Sequence, residues 1–140
     1  MNKTINELIE EAHATAVSKG WWEGQDERKF SEQIALMHSE LSEALEEWRK
    51  WGLVETQTTE DGDVIQPGTL YFITPKSGLT VAEQSDAGDC KPEGIAAEFA
   101  DVLIRIFDTC GRYGIPLEEA LKVKMAFNKT RPHRHGGKLA

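Results

Sequence analysis

The stretch DERKFSEQIALMHSELSEALEEWRKW, residues 26–51, decides the fold. Phe30, Ile34, Met37, Leu41, Ala44, Leu45 and Trp48 recur at i, i+3, i+4 and i+7 intervals, which a helix gathers on one face. The spacing predicts a long helix from near Asp26 or Glu27 to about Trp51, with that face buried and Gly52 as its stop. Upstream, Thr4 and Glu7 have the separation of a capping box, and Leu8, Ala12 and Ala16 form a weaker stripe, so a first helix is expected over 5–18. Downstream, Ile95, Phe99, Val102, Leu103, Ile106 and Phe107 predict a third helix from near Pro92-Glu93 to about Arg112, since proline is tolerated in a first turn. Ile115-Pro116-Leu117 opens a fourth, running to Asn128. Residues 53–92 have no helical period and are rich in Thr, Asp, Gly and Ser. Within them Val64–Gln66 and Thr69–Thr74 flank Pro67-Gly68, the pattern of a β-hairpin, and Lys76 to Lys91 reads as loop. The expectation is one all-α domain over 1–140, with four helices and a polar, hairpin-bearing insertion at about 53–92 between the second and third.

Composition narrows the class. A chain of 140 residues with 39% hydrophobic and 29% charged residues is ordinary for a folded globular domain. No apolar run approaches the roughly 18 residues of a membrane span. Met1 to Glu7 holds no apolar signal core, so a cytoplasmic location is expected, with Cys90 and Cys110 as reduced thiols. The net charge of −8 is unevenly spread: residues 122–140 hold six basic residues and no acid, which leaves a net −14 on the first 121. So acidic a body is a poor surface for a nucleic acid polymer. An acidic cluster beside a basic tail suits a metal–phosphate ligand, with acids holding the metal and bases meeting phosphate.

Two motifs give that idea residues. Glu40-Leu41-Ser42-Glu43 lies on the second helix and Glu98-Phe99-Ala100-Asp101 on the third. Residues three apart on a helix are about 60° apart around the axis and about 4.5 Å apart along it, so each motif sets two carboxylates side by side. Antiparallel packing would bring all four together, at the edge of the apolar stripes. Four such charges repel unless a cation joins them. An oxygen-only set favours Mg2+, with Mn2+ as the alternative, over Zn2+.

Together with Gly20-Trp21-Trp22, the run His38 to Leu45, the run Glu98 to Arg105 and the ending Lys124 to Lys138, these motifs resemble the MazG-like proteins of the all-α nucleoside triphosphate pyrophosphatase superfamily. The likeness covers about 100 residues and excludes most of 53–92. It implies that Glu40, Glu43, Glu98 and Asp101 hold Mg2+, and that Lys124 and Asn128 sit near phosphates and metal. It implies cleavage of a (d)NTP between the α- and β-phosphates, for pool control or house-cleaning, by a homodimer or dimer of dimers. On that mechanism Glu40 or Glu43 accepts the proton of the attacking water, and Arg131 and Lys138 join Lys124 in holding the pyrophosphate. Trp22 and His38 are the candidate base contacts.

The flanking residues keep rivals in view. A di-iron bundle needs Glu-x-x-His on each of two helices, and only Glu10 and His13 have that spacing. A non-catalytic nucleotide- or metal-binding helical oligomer is the other alternative, against which the complete set of six family positions stands. His133 and His135 have no third ligand nearby for zinc.

Overall fold

The computed structural model describes residues 2–24, 30–74 and 90–133. Helices α1 (Ile5–Ser18), α2 (Phe30–Trp51), α3 (Ile95–Tyr113) and α4 (Leu117–Thr130) make up 62% of them. Four short strands, β1 (Gln57–Thr58), β2 (Val64–Gln66), β3 (Phe72–Thr74) and β4 (Lys91–Glu93), lie between α2 and α3. The chain forms two compact units, residues 1–26 with 107–140, and residues 27–106, so α3 contributes its last turns to the first and the rest to the second.

In the first unit, α1 begins at the expected capping box: the Glu7 N–H donates to Thr4 Oγ1 at 3.1 Å and the Thr4 N–H to Glu7 Oε1 at 3.2 Å. Glu118 of α4 accepts from the Ile5 N–H at 3.1 Å and from Asn6 Nδ2 at 2.7 Å, so an acid from another helix faces the positive end of α1. Ile9, Ala16, Trp22, Phe107 and Cys110 are this unit's buried apolar side chains. Among them lies Asp108, buried, which accepts from Trp22 Nε1 at 2.9 Å and pairs with His13 Nδ1 at 2.8 Å. A Cβ on Gly111 would stand 2.7 Å from the His13 Cβ, so a glycine is needed where α3 meets α1.

The second unit corrects the expected fold class. It is not an all-α bundle with one hairpin: two separate antiparallel two-stranded sheets accompany the helices. Val64–Gln66 pairs with β1, with Gln57 opposite Gln66, and Phe72–Thr74 pairs with β4, with Ile73 opposite Pro92. Pro67-Gly68 thus links two sheets instead of turning one hairpin. The reason is Thr69. Its hydroxyl accepts from the Val54 N–H at 2.9 Å and donates to the Gly52 carbonyl, while its own N–H donates to the Val54 carbonyl at 2.8 Å. Thr69 is 1% exposed and fully engaged, so it is not available to pair with Gln66. Gly68 passes so close to the chain before β1 that a Cβ would come within 2.2 Å of the Val54 oxygen.

Thr69 and its neighbour Leu70 also reach α3. The Ile95 N–H donates to the Thr69 carbonyl and the Ala96 N–H to the Leu70 carbonyl, both at 2.8 Å. The end of α2 and the start of α3 are therefore fastened to one short segment. Pro92 and Glu93, expected in the first turn of α3, lie in β4, and the helix starts after Gly94 at φ +97°. The expected start of α2 at 26–29 and most of the expected loop at 76–91 lie outside the described residues.

One further expectation fails in α2. Its buried residues are Gln33, Glu40 and Ala44, whereas Phe30, Ile34, Leu41, Leu45 and Trp48 are exposed. Helix α2 turns a partly polar edge inward and leaves its apolar stripe outward.

Replacing Thr69 by valine keeps its shape and strands the Val54 N–H and Gly52 carbonyl. Thr69→Val should lower stability by about 1–3 kcal/mol in urea unfolding followed by circular dichroism. Thr58→Val, at an exposed strand position, should stay within about 0.5 kcal/mol of the parent. Equal midpoints for the two variants would contradict the role given to Thr69.

Candidate metal centre

Glu40 and Glu43 project from α2 and Glu98 from α3, with one carboxylate oxygen of each within 4.8 Å of the others. Their surroundings differ: Glu40 is buried, Glu98 half-buried and Glu43 exposed. With hard-cation–oxygen bonds of roughly 2.1–2.5 Å, oxygens no farther apart than 4.8 Å are close enough to reach one ion. Three carboxylates with no nitrogen or sulfur among them fit Mg2+, Mn2+ or Ca2+ by donor chemistry.

The fourth expected ligand, Asp101, lies one turn beyond Glu98 and is exposed. It belongs to the same electrostatic group. Partial burial raises its pKa above the ordinary aspartate range; the charges of Glu40 and Glu43 add to the rise and Arg105 opposes it. Glu98 feels the crowding most. Burial, first, then a hydrogen bond to Glu43 and repulsion from Glu43, Asp101 and Glu40 push it up to about 7. A carboxyl in that range is mostly protonated below about pH 7 and would have to release that proton to ligate a cation.

Arg105 is the counter-charge. Its Nε donates to Glu40 Oε1 at 2.7 Å, with both side chains largely covered. It follows Asp101 by four residues and Glu98 by seven, so the acids and this base share one face of α3. Sequence reasoning quoted Arg105 without giving it a role, although a base at that spacing from two acids was a visible signal. Gln33 was missed as well. It lies seven residues before Glu40 on the same face of α2, is 2% exposed, and its Nε2 has no hydrogen-bond partner among the described residues.

The other expected site residues belong to different settings. Trp22 is buried in the first unit, its N–H committed to Asp108 and its ring 4.9 Å from the Arg112 guanidinium carbon, which is a packing role. His38 is exposed on α2. Lys124 and Asn128 are exposed on α4 in the first unit, and Arg131 follows that helix. Lys124 and Arg131 both lie over the Phe127 ring, at 5.4 and 5.8 Å. Lys138 lies outside the described residues. A cleft of about 390 Å³ in the sheet region is lined by Thr56, Leu70, Tyr71 and Phe72 among others and includes none of the four carboxylates.

No family model, curated protein or solved structure matches the chain.

The raised Glu98 carboxyl sets a pH dependence of definite sign. Between its ordinary value of 4.5 and about 7 the folded chain binds more protons at Glu98 than the unfolded chain does. Its contribution to stability therefore falls as pH rises through that window and is level above it. Unfolding curves from pH 4.5 to 8 should show this decline in the parent without divalent ions and a shallower one in Glu98→Gln. Saturating Mg2+ should raise stability most above pH 7. A Glu98→Gln profile parallel to the parent's would overturn the assignment.

Proposed function

We propose that this chain is a Mg2+-dependent nucleoside triphosphate pyrophosphohydrolase, cleaving a (d)NTP to (d)NMP and pyrophosphate. The observation that carries the reading is the meeting of Glu40, Glu43 and Glu98 from two helices within 4.8 Å, in the residues on which the resemblance to MazG-like proteins rests. An acidic pair on one helix is a common surface feature. Three carboxyls drawn from two such pairs, one buried and another pushed up to about 7, form a site whose charge a cation would relieve.

In this reading Glu40, Glu43, Glu98 and Asp101 would hold the metal. A bound divalent ion supplies charge neutralisation on phosphate oxygens during cleavage of the anhydride. The chain's own part is to position and to accept a proton. Glu40 or Glu43 accepts the proton of the attacking water. Of the two, Glu43 is the more accessible, while Glu40 is buried against Arg105. Lys124, Asn128, Arg131 and Lys138 are the proposed contacts to the triphosphate, and His38 to the base; the buried setting of Trp22 lends its proposed base contact no support.

The reaction has a direct test. The chain should release pyrophosphate from at least one member of a panel of NTPs and dNTPs, only with Mg2+ or Mn2+ present. Glu40→Gln should reduce that rate by at least about 100-fold with its helical circular dichroism intact, in the range seen for loss of a group acting in the transition state. Cleavage between the β- and γ-phosphates, or full turnover by Glu40→Gln, would overturn the proposal. Saturable metal binding with no turnover on any nucleotide would favour a non-catalytic metal- or nucleotide-binding protein.

Self-association belongs to the same reading. Leu41, Leu45 and Trp48 of α2 are 47%, 45% and 52% exposed. With Phe30, Ile34 and Trp51 they leave roughly 100 Å² each, or about 600 Å² per chain, against roughly 800 Å² per partner in a standard interface. No helix among the described residues is long and apolar enough to cross a membrane. A second copy is the proposed cover, as a homodimer or a dimer of dimers. Sedimentation should give a species at twice the monomer mass or more, shifted towards monomer by Trp48→Glu. A parent chain that sediments only as monomer at tens of micromolar refutes it.

A further inference from the structure

We infer that Arg105 is the positioning residue for Glu40, holding one oxygen of that carboxylate so that the other faces the metal. The inference rests on the metal-centre reading above and gives a role to a residue that the sequence motifs contain but leave without one.

The geometry is specific. Glu40 is 9% exposed, so water does not satisfy it, and the guanidinium Nε at 2.7 Å from Oε1 is its counter-charge. A buried carboxylate deprived of its paired cation is strongly disfavoured. Without Arg105, Glu40 would be buried on the same side as Glu43, Glu98 and Asp101, all of like charge. The relief open to it is to turn away from that group or to take up a proton, and either weakens it as a ligand. With Arg105 in place, Oε1 is fixed and the plane of the carboxyl is set, as outer partners orient metal-binding carboxylates generally.

The two helices make this arrangement definite. Arg105 reaches from α3 to α2, the same two elements that supply Glu98 and Glu40. The ion pair therefore joins the same two helices as the carboxylate cluster does. An arginine suits the place better than a lysine, because its planar fork donates in a fixed direction, whereas an ammonium is a rotating point charge.

The test uses Mn2+ alone as probe, titrated into the full metal-free chain, with free ion measured by electron paramagnetic resonance and folding checked by circular dichroism. Arg105→Met should weaken Mn2+ binding by about 10–100-fold, the usual effect of losing an outer partner of a metal ligand. Arg105→Lys should fall between it and the parent. A purely structural role would lower the unfolding midpoint of the metal-free protein and leave the Mn2+ Kd of the folded variants at the parent value; that result overturns the inference. Tighter binding by Arg105→Met also overturns it, since Arg105 would then be a competitor of the metal. If Arg105→Met does not fold, Arg105→Lys decides alone: a Kd equal to the parent's rejects the positioning role. A parent chain that shows no saturable Mn2+ binding removes the metal centre itself and the role with it, whereas a binding parent with unaffected variants removes only the role.

Discussion

The hydrogen bonds of Thr69 are the constraint on which the second unit depends. One buried residue ties the exit of α2, through Gly52 and Val54, to the entry of α3, through Ile95. Fixing one end of each helix to a common point fixes how they run past each other. That register sets Glu40 opposite Arg105 and brings Glu98 to Glu43. The short strands serve the same end: β3 pairs with β4, immediately before Gly94 and α3, so the approach to the helix is held by backbone bonds. The polar segment between α2 and α3, which resembles a decoration in the sequence, is the part that aligns the carboxylates.

The cluster itself works against the fold. Carboxylates of like charge, partly withdrawn from water, raise each other's proton affinity, and Glu98 shows the result. A chain selected only for stability gains nothing from that arrangement. Arg105 offsets part of the repulsion at Glu40 and lowers Asp101, but one guanidinium does not balance four acids. The remaining negative charge is of the sign that a bound cation would relieve. The same trade appears in α2, which turns Gln33 and Glu40 inward and leaves Leu41, Leu45 and Trp48 outward. Burying the apolar stripe within the chain would be the better solution for an isolated helix; presenting the carboxylate inward requires the other.

Much of the helical framework was legible because it is written in local terms. The capping box at Thr4 and Glu7 formed as spaced, and α1 has the expected bounds, because both depend on residues within a turn of each other. The exit of α2 at Trp51 followed from Gly52, and the entry of α4 from Pro116, by the same local logic. The strands were misread because their partners are distant. Gln57 had no pattern that marked it as the mate of Gln66, and the mate of Phe72 is Glu93, across twenty residues of sequence. Trp22 was assigned to a base because nothing near it in the chain announces Asp108, which claims its N–H from 86 residues away.

The sequence by itself determined the periodic helices, the uneven charge and the two acidic pairs, since each is a matter of spacing along one helix. Tertiary structure alone decided that Glu40 is buried and Glu43 is not, that Arg105 is the partner of Glu40, and that the apolar stripe of α2 faces outward. The reason is that periodicity fixes which side chains share a face of a helix but leaves its rotation about its own axis free. That rotation is set by contacts between residues far apart in the chain, here the Thr69 clamp and the ion pair between α2 and α3.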